Sequence, residues 1–393
     1  MTTEEILENL SGVEEPIGSV RIYLKNIYAT KRFSFGTWNS RQHLIAAVRA
    51  GGETGYAESI ITVNEPEVSM DSCLQRAESL TGKSVSAAIT EVRRQRGIWP
   101  EHYVEMMEMA LVDLAGKLKK MPALALLGLK GTEPVYGVYV ILSDDLQDVA
   151  AKTDWAVEHG RERYIKVKLF GDNELDCGVI RTVRQHTKGR NTYLIGDVNG
   201  GYCMPGEDVP LEQIAVNLMN LREAGLNACE DPAYISLNDW VKLQTLAGDL
   251  SLIPDYPLRP SRKSIHEILP GMGRIYNIHP DSAGSIIDVV ALAGRIRELG
   301  AGLMVGDDSL VGPSATIWQQ LAVGLGAQWV EATEKDGESE FYYRCVQEIP
   351  TDSRINPIGV KSCFGFGIRL DEELLSREAD RSVTAGETGD AHE

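Results

Sequence analysis

Four stretches of this sequence end an apolar run with charged or polar residues: Tyr164-Ile-Lys166-Val-Lys168, Leu194-Ile-Gly-Asp197-Val-Asn199, Ala228-Cys-Glu230-Asp-Pro232 and Leu252-Ile-Pro-Asp255. Strand ends repeated in this way converge only if the strands are parallel and close on themselves. A barrel of this kind carries its chemistry at the C-terminal rim. Three single carboxylates facing a lysine pair suit a hard divalent cation beside a general base.

The composition favours a soluble enzyme. The chain has 393 residues, 43% of them hydrophobic, and a net charge of −18, which disfavours nucleic acid and anionic membranes as partners. The N-terminus has neither the basic segment nor the apolar segment of a signal peptide, and no stretch is apolar enough to span a membrane. We therefore expect a cytoplasmic protein. The six cysteines form no C-x-x-C pair, so neither a disulfide scaffold nor a zinc site is indicated.

The hydrophobic periodicity changes along the chain and divides it into four parts. Residues 1–130 combine strand-like alternation with a helical region, as in an α+β domain. Residues 131–338 repeat a strand-then-helix rhythm with eight candidate strands, which predicts a (β/α) barrel. Residues 339–375 are again strand-like and are expected to return to the first domain. The polar segment 376–393 is expected to be disordered.

Taken together, these motifs resemble those of the enolase superfamily, in its muconate cycloisomerase and mandelate racemase branch, over nearly the whole chain. No single motif is specific, but their order and spacing are. From Lys168 to Asp197, and then to Glu230, Asp255 and His279, the separations are 29, 33, 25 and 24 residues, each about one strand-helix unit. The resemblance implies a modified (β/α)7β TIM-type barrel covered by an α+β capping domain.

The resemblance also implies a magnesium ion held by Asp197, Glu230 and Asp255, for which Mn²⁺ could substitute. Carboxylates at successive strand ends suit Mg²⁺, which requires oxygen ligands and keeps positions for water and substrate. Asp255 is the weakest assignment, because Ile-Pro-Asp-Tyr-Pro departs from the Asp-Glu-Ser of the family. We expect Asn199 to support the site by hydrogen bonding, whereas Asp231 could serve only as a helix cap.

The family reaction begins with removal of the proton α to a carboxylate, giving an enediolate that the metal stabilises. Lys168 is the candidate base and Lys166 its electrostatic partner. Two lysines alternating on one strand face repel each other as cations, which would lower the pKa of one of them. A solvated strand edge is the alternative reading of this motif when it stands alone.

The opposite side of the pocket departs from the family pattern. Relatives place either a lysine on the sixth strand, or an aspartate there that is paired with a histidine on the seventh. This chain has His279 after the sixth strand and Asp307-Asp308 after the seventh, as if the pair were exchanged. We expect Asp307 to orient His279 for acid or base catalysis, with Asp308 as the alternative partner.

These features favour a cycloisomerase acting on a sugar-derived or hydroxy acid or its lactone. A lyase of the acid-sugar dehydratase type and an epimerase are the alternatives, although the eighth strand lacks the Asp-x-Asp of dipeptide epimerases. A catalytically silent metal-binding barrel is the non-enzyme alternative. In this family, capping-domain loops select the carboxylate substrate; here the segment from Lys31 to Trp38 is the candidate, with Arg32 and Trp38 as substrate contacts. Relatives are commonly homo-oligomers, often octamers.

Overall fold

The computed structural model of the protein describes residues 2–61, 66–333, 335 and 337–386. Within these ranges, no helix combines the length and the apolar character that crossing a membrane would require.

The N-terminal region folds as a small antiparallel sheet covered by helices. Gly51 and Gly52, both with positive φ, form the turn between the strands Arg41–Ala50 and Glu53–Ile61. The helix Glu101–Lys119 packs so closely on this sheet that a Cβ on Gly55 would lie 2.1 Å from the carbonyl oxygen of Ala110. The elements are α1 (Thr3–Asn9), β1 (Ser19–Ile27), β2 (Lys31–Phe33), β3 (Gly36–Trp38), β4 (Arg41–Ala50), β5 (Glu53–Ile61), α2 (Met70–Glu78), α3 (Val85–Arg94), α4 (Glu101–Lys119) and α5 (Ala123–Leu126).

The middle of the chain alternates parallel strands with helices, as the periodicity predicts. Its strands are β6 (Tyr136–Gly137), β7 (Tyr139–Ile141), β8 (Tyr164–Lys168), β9 (Tyr193–Asp197), β10 (Ala228–Glu230), β11 (Ser251–Ile253), β12 (Ile275–Ile278), β13 (Gly302–Val305) and β14 (Trp329–Val330). Its helices are α6 (Leu146–Glu158), α7 (Asn173–His186), α8 (Leu211–Ala224), α9 (Leu237–Ala247), α10 (Ser261–Glu267), α11 (Ile286–Glu298) and α12 (Pro313–Leu325).

These strands form two parallel sheets, β7 to β11 and β12 to β14 with β6, that backbone contacts join into a barrel. On one side β6 and β7 are a single strand broken at Val138, whose amide donates to the carbonyl of Val330. On the other side the amides of Arg274 and Asn277 donate to the carbonyls of Leu252 and Pro254. The interior is filled by buried apolar side chains of seven strands: Val138, Ile195, Ala228, Ile253, Ile275, Met304 and Trp329. The predicted barrel with a capping domain is confirmed.

The C-terminal region corrects one prediction. Its elements are α13 (Glu340–Cys345), β15 (Val346–Glu348), β16 (Arg369–Leu370), α14 (Glu372–Glu378) and β17 (Arg381–Gly386). Strand β17 pairs antiparallel with β1, Gly386 opposite Ser19, so the expectation of disorder from residue 376 onward is wrong up to residue 386. The strand forms because β1 offers it an open sheet edge. Residues 387–393 lie outside the described residues.

Buried polar contacts fix the capping domain to the rim of the barrel. The carboxylate of Glu58 on β5 accepts hydrogen bonds from the amides of Val311 and Gly312, at 3.0 and 2.7 Å, just before α12. On α4, Glu105 accepts from the amides of Asp281 and Gly284, at 2.6 and 2.8 Å, in the loop after β12. These bonds join the capping domain to the loops that follow β12 and β13.

Candidate active site

A cavity of about 960 Å³ lies at the C-terminal ends of the barrel strands, under the β2–β3 hairpin. Most of the side chains that the sequence predicts for the site line it. They are Lys166, Lys168, Asp197, Asn199, Glu230, Asp255, His279, Asp307 and Trp38. Arg32 is not among the lining residues.

Lys166 lies at the centre of a buried group of carboxylates. Its ammonium is 2.9 Å from Glu230 Oε2, 2.9 Å from Glu331 Oε2 and 3.2 Å from Asp197 Oδ2. Burial opposes a charge on this lysine, but Glu230, Glu331 and Asp197 outweigh it, and the pKa of Lys166 lies well above its ordinary value. Lys166 is therefore a fixed cation that neutralises acidic neighbours.

Lys168 follows on the same face of β8 and is bound by two acceptors. Its ammonium donates to Asp197 Oδ2, and to Asn199 Oδ1 at 2.9 Å. Asp197 Oδ2 thus contacts both lysines, so the expected direct repulsion between them is replaced by a shared carboxylate. Burial would raise the pKa of Asp197, but Lys168 and Lys166 together hold it below its ordinary value.

Asp255 is bound by a cation that the sequence analysis did not identify. The guanidinium of Arg259, one turn later in the chain, donates to both of its carboxylate oxygens, with Nε 3.0 Å from Oδ1. Neighbouring Asp231 accepts hydrogen bonds from the amides of Asp255 and Tyr256, at 2.9 and 3.1 Å. Asp231 therefore holds the start of the loop that carries Asp255, rather than capping a helix.

The donor set of the site fits a divalent cation. Among the described residues, five buried carboxylates cluster around three cationic side chains: Asp197, Glu230, Asp231, Asp255 and Glu331 around Lys166, Lys168 and Arg259. Burial, and then the neighbouring carboxylates against the opposing effect of Lys166, raise the pKa of Glu230 well above its ordinary value. Its Oε2 lies in an ion pair with Lys166 but accepts no well-directed hydrogen bond.

The carboxylates of Asp197, Glu230 and Asp255 are not arranged around a common metal position. Among the described residues, no three His, Cys, Asp or Glu side chains are arranged as a metal site. The reason is visible in the ion pairs, because Lys166 lies between Asp197 and Glu230 while Arg259 takes both oxygens of Asp255. Asp197 and Glu230 are neighbours in register on β9 and β10, so both carboxylates lie at the same end of adjacent strands.

His279 has a different partner from the one expected. Its Nδ1 lies 2.9 Å from the carbonyl oxygen of Pro280 and 3.1 Å from Ser282 Oγ. Asp307 instead pairs with Lys335, at 2.8 Å, and caps the amide of Leu310. The predicted pairing of His279 with Asp307 is therefore wrong, because the loop after β13 turns this carboxylate toward Lys335.

The backbone contact of His279 determines its chemistry. A carbonyl oxygen only accepts hydrogen bonds, so Nδ1 carries the hydrogen and Nε2 of the neutral ring is the unprotonated nitrogen. Burial, followed by the charge of Arg259, lowers the pKa of His279 from its ordinary value. The imidazole is consequently neutral near pH 7 and offers Nε2 as a proton acceptor.

Arg32 was expected to contact the substrate, and the structure places it outside the cavity lining. Its guanidinium pairs with Asp144 and lies over the ring of Phe170, 5.5 Å from the centroid, with 61% of the side chain exposed. Trp38 does line the cavity, and the guanidinium of Arg41 stacks 4.1 Å from its ring centroid. Arg41 donates to the carbonyl of Asp308 at 2.8 Å.

Sequence reasoning missed three residues that contact the predicted ones. Glu331 directly follows the eighth strand, so the signal that identified the other carboxylates was present for it too. Asn277 donates to Glu230 Oε1 at 3.0 Å. It lies two residues before His279, which directly follows β12, so the alternation of a strand predicts the same side for both. Arg259 lies in a loop where no periodicity predicts a direction.

The sequence matches no protein-family model and no curated protein. Similarity to solved structures is extensive. An N-succinyl Arg/Lys racemase from Bacillus cereus superposes with a TM-score of 0.77 at 18% identity, over 94% of this chain and all (100%) of that one.

Two further structures show the same relationship. A dipeptide epimerase from Cytophaga hutchinsonii, in complex with Mg and D-Ala-L-Val, has a TM-score of 0.76 at 19% identity over 94% of this chain and 99% of its own. A muconate lactonizing enzyme from Pseudomonas fluorescens, in complex with muconolactone, has a TM-score of 0.74 at 19% identity, over 93% of this chain and 99% of its own. The protein therefore has the barrel and capping-domain fold of the enolase-superfamily racemases, epimerases and lactonizing enzymes, as the sequence resemblance implies.

Proposed function

We propose that the protein is a Mg²⁺-dependent isomerase that removes the proton α to a carboxylate and returns a proton to the same carbon, as a racemase or epimerase does. One observation carries this proposal: Lys168, paired with Asp197, and a neutral His279 line one cavity. A reaction that exchanges a proton between two faces of a carbon needs a donor on one side and an acceptor on the other.

The residues divide these tasks by their contacts. Nε2 of His279 accepts a proton from one face of the α-carbon, while the ammonium of Lys168 delivers one to the other. Lys166 and Glu331 form a buried ion pair in the wall of the cavity. Asn199 and Asp197 hold the Lys168 ammonium in place.

Asp197, Glu230 and Asp255 would hold the magnesium ion, with Asp255 shared with Arg259. When bound, the ion acts as a Lewis acid toward the substrate carboxylate and makes the α-proton more acidic. The neighbouring structures that contain Mg support this assignment, as does the cluster of buried carboxylates.

Cycloisomerisation, the reaction that the sequence favours, is the second candidate. It requires only one proton-transfer group at the α-carbon and leaves the other for a different atom. The similarity to a muconate lactonizing enzyme supports it. The substrate class proposed from the sequence, a sugar-derived or hydroxy acid or its lactone, applies to either reaction.

A proton-exchange screen tests the proposal. Single enantiomers of hydroxy acids, acid sugars and their lactones, N-acyl amino acids and dipeptides are incubated with the enzyme and Mg²⁺ in D₂O. Proton NMR reports loss of the α-proton signal, and polarimetry reports inversion. Exchange with inversion supports a racemase or epimerase, whereas exchange with formation or opening of a ring supports cycloisomerisation. Absence of exchange with every class would contradict both.

A further inference from the structure

The β2–β3 hairpin crosses the mouth of the cavity and is fastened on two sides. On one side Ser34 Oγ donates to the carbonyl oxygen of Asn199 at 3.3 Å. On the other, the ammonium of Lys31 lies 3.3 Å from Ser309 Oγ and 2.8 Å from Glu338 Oε2. The hairpin is therefore connected to loops from separate parts of the barrel rim.

One hairpin side chain reaches the proposed proton-transfer lysine. The ammonium of Lys168 lies 5.1 Å from the ring centroid of Phe33, within the range of a cation–π contact. Phe33 stacks on Phe35, with centroids 5.2 Å apart and planes 9° from parallel. It also packs against Trp38 in a tilted arrangement, with centroids 4.6 Å apart and planes at 48°. Two further rings thus hold the orientation of the Phe33 ring.

The contacts of Lys168 connect it to the β2–β3 hairpin in two ways, directly through Phe33 and indirectly through Asn199. Asn199 binds the Lys168 ammonium through its side chain and Ser34 through its carbonyl, while the ring of Phe33 covers the same ammonium. An ammonium carries three hydrogens, and the oxygens of Asp197 and Asn199 account for two. The ring supplies a weak electrostatic contact and excludes water without competing as a strong acceptor for the third.

We propose that Phe33 is a positioning residue for Lys168: its ring holds the ammonium against Asp197 and Asn199 and shields it from water. The proposal rests on the function proposed for Lys168 above. An apolar side chain of similar size would fill the space, but without the negative face of a π system it would not attract the cation.

The test combines kinetics with chemical labelling of Lys168. Acetylation by an N-hydroxysuccinimide ester is followed by peptide mass spectrometry, with exposed Lys242 as the internal standard, since this readout needs no turnover. In Phe33→Leu we expect Lys168 to react roughly fivefold faster relative to Lys242. We expect kcat for α-proton exchange to fall roughly tenfold, with KM changed less than about twofold. Phe33→Tyr, which keeps the ring, should have a Lys168 labelling rate and a kcat within about twofold of wild type.

A matched control is Phe364→Leu, the same substitution at a ring that is 55% exposed and does not line the cavity. It should leave labelling and kinetics as in wild type. If Phe33→Leu unfolds, Phe33→Met replaces it. Wild-type labelling of Lys168 and wild-type kcat in Phe33→Leu would overturn the proposal. If the wild type exchanges no α-proton at all, the proposed function fails, while the labelling comparison still decides whether Phe33 covers Lys168.

Discussion

The ammonium of Lys166 lies 2.9 Å from Glu331 Oε2, although 165 residues separate the two in the chain. Both side chains are almost fully buried, with 4% and 6% of their surface exposed. The pair joins the second barrel strand to the end of the eighth, across the broken first strand. A complete buried ion pair of this kind changes the free energy of folding little, whereas removing one partner destabilises the fold strongly because a buried charge is left unpaired.

Replacing Lys166 should therefore destabilise the fold. In Lys166→Met we expect the free energy of unfolding at pH 7.5 to fall by about 3 kcal/mol, because Glu230, Glu331 and Asp197 lose their shared cation. The loss should be smaller at pH 5.5, because burial raises the pKa of Glu230 and Glu331 and both take up protons more readily as the pH falls. Urea denaturation measures both. As a control, Lys152→Met breaks a surface pair with Asp148 and should cost less than about 1 kcal/mol. A loss as small as that of the control would contradict the buried network.

Glu230→Gln separates metal binding from folding. Without metal, the variant should be at least as stable as wild type, since burial already disfavours a charge at this position. Wild type should gain melting temperature with increasing Mg²⁺, because a ligand that binds only the folded state stabilises it, whereas Glu230→Gln should gain almost none. Scanning calorimetry over a magnesium series provides the measurement. An equal magnesium response in both proteins would remove Glu230 from the ligand set.

Lys168 and His279 should each exchange the α-proton of a different substrate enantiomer. His279→Asn should still exchange the α-proton of one enantiomer with D₂O and lose exchange of the other, because only Lys168 remains. Lys168→Ala should show the opposite preference. For a cycloisomerase, one of the two variants would keep exchange but form no product. Proton NMR on each pure enantiomer makes the distinction. Unchanged exchange of both enantiomers in His279→Asn would return this residue to a structural role.

Asp307→Asn tests the corrected partner of His279. Since Asp307 binds Lys335 and the carbonyl oxygen of Pro280 accepts from Nδ1 of His279, we expect the acid limb of the pH–rate profile to stay in place in this variant. Ser282→Ala removes a direct contact of Nδ1 and serves as the comparison. A shift of the acid limb in Asp307→Asn but not in Ser282→Ala would favour the pairing expected from the sequence.

Stability should fall as pH rises through the titration of Glu105. Burial raises the pKa of this carboxyl from 4.5 to about 8, against hydrogen bonds from the amides of Asp281 and Gly284. Between these two values the folded protein keeps a proton that the unfolded chain has released, so the free energy of unfolding decreases with pH. Glu105→Gln should flatten this slope, by up to about 1.4 kcal/mol per pH unit. Urea titrations from pH 5.5 to 8.5 measure it. Glu158→Gln, on the exposed face of α6, should follow wild type, and an identical slope in Glu105→Gln would refute the shift.

The sequence by itself predicted the parts of the molecule that depend on neighbours along the chain. The barrel strands and the charged residues at their ends are visible because burial imposes a local hydrophobic pattern, and parallel strands bring their C-terminal ends to one rim. Lys166, Lys168, Asp197, Glu230, Asp255 and His279 were identified in this way, and the structure places all of them around one cavity.

Only the tertiary structure decided which of these groups touch. The hydrogen-bond partners of His279 and Asp307 depend on loop conformations that carry no periodicity, so an exchanged pair looked plausible in sequence and does not form. Strand β17 is short and polar, and it exists because β1, more than 350 residues earlier, offers an open edge. The contacts of Lys166 with Glu331 and of Lys168 with Phe33 arise for the same reason: chain folding brings distant residues together, and sequence spacing does not encode their distance in space.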